Sequence, residues 1–215
     1  LAALGVELRT IKRPSDWLWP LRAACVFLVT LSPWAIRNTI VLGVPVWTTT
    51  HGGYTLALAN NEAYAADMLG RGWNIDGVWT GPNQRRWFEQ INELAAGLDE
   101  PTADRLFRDL ALGWIHAHPR LFLEASTQRL CRFWALAPSS LVYPRPLRWA
   151  CLAWTLPIWV ALGCSLATRR AWRWPAVGAV ASLIALTTVH ALYWTDLRMR
   201  APLVPAIALL VALGL

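Results

Sequence analysis

Residues 149–195 read WACLAWTLPIWVALGCSLATRRAWRWPAVGAVASLIALTTVHALYWT, and the fold turns on this stretch. It holds two apolar runs, Trp149–Ala167 and Trp174–Thr195, neither with a formal charge, separated by Arg169, Arg170 and Arg173. A bilayer core of roughly 30 Å takes about 20 apolar residues as a helix, so each run is long enough to cross. The whole chain agrees: 56% of its 215 residues are hydrophobic and only 15% are charged, with 15 tryptophans. A soluble domain carries about 25% charge, which excludes disorder and an ordinary cytosolic enzyme.

Working outward, Trp17–Ile36 is a third run, interrupted only by Arg22, whose long stem lets its charge reach the surface. Ala201–Leu215 is a fourth, running to the last residue. Trp17, Trp19, Trp34, Trp149, Trp174 and Trp194 sit at run ends, where amphipathic rings favour the headgroup layer. The expected fold is an α-helical polytopic membrane protein with four transmembrane helices and a mixed, mainly helical extracytoplasmic domain. The segments are 1–16 cytoplasmic, 17–36 spanning, 37–148 extracytoplasmic, 149–167 spanning, 168–173 cytoplasmic, 174–195 spanning, 196–200 an outer turn and 201–215 spanning.

Charge sets this orientation. Ten Arg and ten acids in 37–146 cancel, leaving ten basic and three acidic residues around the apolar runs. Arg9, Lys12 and Arg13 before the first span, and Arg169, Arg170 and Arg173 between the second and third, mark the cytoplasmic side of a plasma (inner) membrane. Arg37, Arg145, Arg148, Arg198 and Arg200 gather near the outer surface against that rule. A nucleic-acid binder would carry its basic face on the polar domain instead, so no nucleic-acid partner is expected. Cys25, Cys151 and Cys164 lie in apolar runs and Cys131 lacks a ligand-spaced partner, so all four are read as packing residues. A start at Leu1 and an end within an apolar run read as a fragment.

In the outer segment, Thr39–Val46 reads as a short β-branched strand and Thr48–Asn61 as turns and strand pieces. Helical spacing begins after Pro82, with Trp87, Ile91, Leu94 and Leu98, and Gly97 near the end. A second helix starts at Asp99-Glu100-Pro101 and carries Leu106, Leu110, Trp114 and Ile115 on one face. A third runs from about Arg120 to Leu136, with Arg120, Glu124, Gln128 and Arg132 on a polar stripe, as for a helix lying in the membrane interface.

Several stretches occur in a telling order: Pro33-Trp34-Ala35-Ile36-Arg37-Asn38, His51-Gly52-Gly53-Tyr54, Ala59-Asn60-Asn61, Ala111–Pro119 before an Arg/Phe/Trp helix, and Arg198–Pro205 opening the last span. From about Leu31 onward the chain resembles the C-terminal half of a bacterial membrane glycosyltransferase of the GT-C type, similar to the protein O-mannosyltransferase and aminoarabinose-transferase group. The resemblance implies transfer of a sugar from a polyprenyl-phosphate carrier to an acceptor on the outer face of the membrane. It also places the essential acidic residues in a first outer loop upstream of this sequence, so the fragment alone is expected to be inactive. The partners implied are membrane lipid and the polyprenyl-phosphate sugar. No cofactor is expected within the fragment, and a divalent cation is conceivable in the intact enzyme.

Among candidate residues, Arg198 and Arg200 lie in a short turn at headgroup depth, where a guanidinium fork matches phosphate oxygens. Arg37 joins them as a donor-phosphate ligand; the alternative for all three is interfacial anchoring. Asn38, His51, Tyr54, Asn60 and Asn61 offer amides and an aromatic platform for acceptor or sugar hydroxyls, although the same residue types build ordinary caps and turns. Asp99-Glu100 is read as charge at a helix start and not as a catalytic pair. His116 and His118 diverge on a helix and cannot form a metal pair, and His190 near Tyr193 is read as a neutral interhelical contact. Two rival functions are a transporter or lipid flippase, which would need polar or broken spans, and a non-catalytic membrane assembly protein.

Overall fold

The computed structural model describes residues 18–69, 79–173 and 176–214. Within them the chain is helical, without strands: α1 (Leu18–Leu42), α2 (Gly52–Ala59), α3 (Glu62–Met68), α4 (Pro82–Leu94), α5 (Glu100–Ala117), α6 (Pro119–Phe133), α7 (Arg145–Leu166), α8 (Ala176–Leu192), a 3₁₀ turn (Leu197–Leu203) and α9 (Val204–Gly214). The expected cytoplasmic segment 1–16, the rings of Trp17, Trp19 and Trp174, and residues 70–78 lie outside the described residues.

Two helices are long and apolar enough to cross a membrane, Leu21–Leu42 within α1 and Arg145–Leu166, which is α7. The apolar α8 is shorter, and the last run is divided between the 3₁₀ turn and α9. On α1, Leu21, Val26, Phe27, Val29, Ile40 and Val41 are each more than half exposed. Leaving such side chains in water forfeits about 1.5–3 kcal/mol apiece, so the six together forfeit on the order of 10 kcal/mol. That rivals the whole stability of a domain, roughly 5–15 kcal/mol, which agrees with a helix apolar enough to cross a membrane.

The expected strand Thr39–Val46 is corrected: α1 continues past Ile36 through Thr39, Ile40 and Val41 to Leu42. The β-branched penalty in a helix is only tenths of a kcal/mol, which the continued backbone hydrogen bonds of α1 outweigh. Thr39 Oγ1 donates back to Ala35 O at 2.8 Å. Pro33 removes the amide that would bond the Val29 carbonyl, and Ser32 Oγ donates to that carbonyl instead at 2.9 Å. Gly43, at φ +69°, ends the helix in the left-handed region, its N–H bonding Thr39 O at 3.0 Å. Trp34 Nε1 donates to Thr48 O at 2.8 Å and folds the next loop back.

Thr48–Asn61 is corrected as well, since α2 and α3 replace the expected strand pieces and the described residues of the outer segment form helices and loops without a strand. The Asp104 carboxylate on α5 accepts from Gly53 N at 2.7 Å and Tyr54 N at 3.2 Å, satisfying amides that α2 leaves open. Gly53 is needed at this crossing: a Cβ there would collide with the Asp104 carbonyl and the Arg108 amide. Asn61 Oδ1 caps α3 by accepting from Tyr64 N at 2.7 Å.

Two cores result. The outer one gathers α2–α5 around Tyr64, Trp79, Trp87, Phe107 and Ala111. The other joins α7, α8 and α9 through Leu162, Val180, Leu183, Ile207 and Leu210, with Ser165 Oγ donating to Leu210 O at 2.5 Å. Helix α6 belongs to both, placing Ala125 in the first and Phe133 in the second. Its expected surface position is therefore corrected: Ala125, Gln128, Arg129 and Phe133 are buried while Leu123 is exposed. On α5 the buried residues are Pro101, Phe107 and Ala111, whereas Leu110 is exposed. Trp194 is no headgroup anchor, because its ring packs on Tyr64 and Trp79, with centroids 6.3 and 6.4 Å away. Cys25 and Cys164 face outward and are not packed as expected.

Candidate functional site

The residues that organise the outer face are arginines at helix ends. A helix C-terminus carries four carbonyls without amide partners and a partial negative charge, so a guanidinium set there is held by geometry and field together. Arg129, fully buried on α6, serves two such ends. Its Nη1 donates to Ala59 O at 2.7 Å, at the close of α2, and its Nε and Nη2 donate to Ala191 O at 3.1 and 2.9 Å, at the close of α8. Nη2 also reaches Ser126 Oγ at 3.0 Å and Asn60 Oδ1 at 3.3 Å. Burial lowers this guanidinium to about 10, an effect partly offset by Tyr64, so it remains charged at neutral pH. Nothing in the sequence near residue 129 distinguishes it from Arg120 or Arg132; the signal lies in α2 and α8, both far along the chain.

Asn60 completes this junction. Its Nδ2 donates to Leu56 O at 2.8 Å and to Leu192 O at 2.9 Å, joining the same two helix ends. Asn61 Nδ2 bonds Ala57 O at 2.8 Å while its Oδ1 caps α3. Both amides, expected to face a sugar, are thus engaged within the protein.

Arg200 repeats the device. Its Nη1 donates to Phe133 O at 3.1 Å and Ala135 O at 2.7 Å, where α6 ends, and its guanidinium lies 5.0 Å above the Trp159 ring. Burial lowers its pKa, with the Cys151 thiol acting in the opposite sense. Arg198, on the same 3₁₀ turn, is exposed and lies 3.4 Å from Asp196, which also caps the turn. Two neighbouring arginines therefore do different work, one fixed on backbone carbonyls and one presented outward.

Arg37 and Asn38 lie inside α1 and not at its mouth. The exposed Arg37 sits 5.6 Å from the Trp34 ring and donates to Asn38 Oδ1 at 3.1 Å, with Asn38 itself buried. His51 precedes α2 without a side-chain cap and meets Tyr54 edge-on at 6.0 Å. Tyr54 packs on Phe107 and Trp87, and burial raises its phenol pKa. The fold thus separates the expected residues into four groups: Arg198 and Arg200 on the 3₁₀ turn, Arg37 with Asn38, His51 with Tyr54, and Asn60 and Asn61 between α2 and α3.

The remaining polar residues have local duties. Asp99 caps α5 by accepting from Thr102 N at 2.9 Å, and the Thr102 hydroxyl together with that amide holds its carboxyl below the ordinary value, while Glu100 accepts from the Thr50 hydroxyl. His118 joins α5 to α6, its ring 5.4 Å from Trp114. His190 stacks on Phe133 at 4.7 Å. Among the described residues, no three His, Cys, Asp or Glu side chains converge as a metal site.

No family model, curated protein or solved structure matches the chain.

Proposed function

We propose that the chain is part of an integral-membrane glycosyltransferase of the GT-C type, using a polyprenyl-phosphate sugar on the outer face of a plasma membrane. In this reading α1, α7, α8 and the last run are four spans, and the segment between α1 and α7 faces outward. The observation that carries it is the exposed Arg198 beside the fixed Arg200 on a turn between two apolar helices. A guanidinium at headgroup depth, exposed although it lies 3.4 Å from Asp196, offers its fork to a carrier phosphate. Arg200 contributes field and orientation, and Arg198 the accessible fork. The acid that activates the acceptor would come from upstream sequence. A divalent cation in the intact enzyme belongs to the same proposal.

The test is sugar transfer by the intact protein from a purified polyprenyl-phosphate donor in detergent. Arg198→Lys retains charge and, being exposed, leaves the fold intact. Losing a charge-assisted hydrogen bond of about 1.5–3 kcal/mol that acts in the transition state lowers the rate roughly ten- to a hundred-fold. A wild-type rate for Arg198→Lys refutes the phosphate role.

A second reading, a non-catalytic membrane assembly protein, is favoured by Arg129 and Arg200 both acting as helix-end caps. It predicts no transfer by the intact protein under any donor tested.

A further inference from the structure

Away from the arginine turn, α3, α4 and α5 enclose a groove of about 570 Å³ on the outer domain. Trp87 and Ala111, both buried, form its floor. Glu62 and Trp114 lie along it on α3 and α5, and Arg86 and Gln90, one helical turn apart, line it on α4. The Trp114 indole is oriented: its Nε1 donates to Glu62 Oε2 at 3.1 Å, which fixes ring and carboxylate together. Arg86 and Gln90 are exposed and make no ion pair or side-chain hydrogen bond among the described residues.

The lining combines a flat, half-buried aromatic face, a carboxylate held by that ring, and cationic and amide donors on another helix. A lipid tail would leave Glu62 and Arg86 desolvated without partners, at a high cost. A free phosphate would be repelled by Glu62. A polyhydroxylated ring satisfies the set, because its C–H face stacks on an indole while its hydroxyls both donate to carboxylate and accept from guanidinium and amide. The volume falls within the roughly 300–1,000 Å³ usual for small-ligand sites.

We propose that this groove binds an uncharged saccharide, with Trp114 as the stacking platform, Glu62 as hydroxyl acceptor and Arg86 and Gln90 as donors. The site is separate from the arginine turn and requires no transfer reaction, so it is tested without a sugar donor.

The chain is purified in detergent micelles and titrated with methyl α-mannoside, cellobiose and maltotriose, binding being read by saturation-transfer NMR. Triglycine serves as the non-sugar control. At least one saccharide binds, with Kd on the order of 1 mM, and triglycine does not. Trp114→Ala weakens that binding at least about ten-fold, which is about 1.4 kcal/mol. Trp114 also packs on the outer core, so Glu62→Gln and Gln90→Ala, both at exposed positions, provide variants that keep the fold. Each weakens binding several-fold with an unchanged melting temperature. Absence of binding by every saccharide at about 20 mM, equal binding of triglycine, or wild-type affinity in both Glu62→Gln and Gln90→Ala overturns the assignment.

Discussion

Replacing Arg129 with methionine should detach the outer helices from α8. The guanidinium satisfies Ala59 O and Ala191 O, each at a helix C-terminus, as well as Asn60 Oδ1 and Ser126 Oγ. Burying that charge costs several kcal/mol, which the four acceptors and two helix ends repay while the set is complete. Methionine escapes the desolvation cost but orphans two buried carbonyls, each at about 1–3 kcal/mol. The two orphaned carbonyls together set the loss at about 2–6 kcal/mol. For a chain of this size each kcal/mol moves the melting midpoint by about 2–4 °C, so Arg129→Met should melt about 10 °C lower. Circular dichroism in detergent reads the midpoint, and hydrogen exchange reads the mechanism. Protection should fall around Ala59–Asn60 and Ala191–Leu192 together, two places 132 residues apart that meet at this junction. Arg129→Lys should recover part of the loss, since one ammonium cannot reach both helix ends. A midpoint within about 2 °C of wild type, or loss of protection at one segment alone, refutes the two-ended cap.

Gly53→Ala forces α2 away from α5 and should cost about 1–3 kcal/mol or more, whereas Gly52→Ala, where a Cβ meets nothing, should be far milder in the same melting assay. The Gln128 amide is buried with neither atom bonded, so Gln128→Met, of similar volume, should raise stability by about 1 kcal/mol and the midpoint by a few degrees. Asp99 has a folded pKa below its ordinary 3.8, so its stabilisation is present above that value and lost as pH falls through the folded pKa. The melting gap between wild type and Asp99→Ala should therefore be widest near neutral pH and close progressively under acid, and a gap that widens with acid contradicts the cap. For topology, single cysteines at Arg85 and Arg170 in a cysteine-free background should label from outside and inside respectively, an impermeant thiol reagent on intact cells giving the answer. Labelling at 170 alone reverses the orientation and removes the glycosyltransferase reading with it.

The sequence by itself determined the apolar helices and the outer helices with strong periodicity. Trp149–Ala167 lies almost wholly within α7, and Pro82, Asp99 and Pro119 mark where α4, α5 and α6 begin, because a missing charge, an N-terminal proline and a capping carboxylate act within a few residues. Tertiary structure decided the rest. Thr39–Val41 carries strand-like side chains, yet α1 continues through it, because its propensity cost is small and the helix runs on until Gly43 turns it at positive φ. Residues 52–59 pair two glycines with a tyrosine and look like a turn, and they form a helix because Asp104, about fifty residues on, caps their amides. The candidate site shows the same division. Arginine was legible as the chemistry of the outer face, but whether a given arginine meets a ligand or a helix end depends on where distant carbonyls arrive. Arg198 faces outward, Arg200 holds the end of α6, and Arg129, hidden among similar neighbours in the sequence, joins two helix ends whose carbonyls only the folded chain brings together.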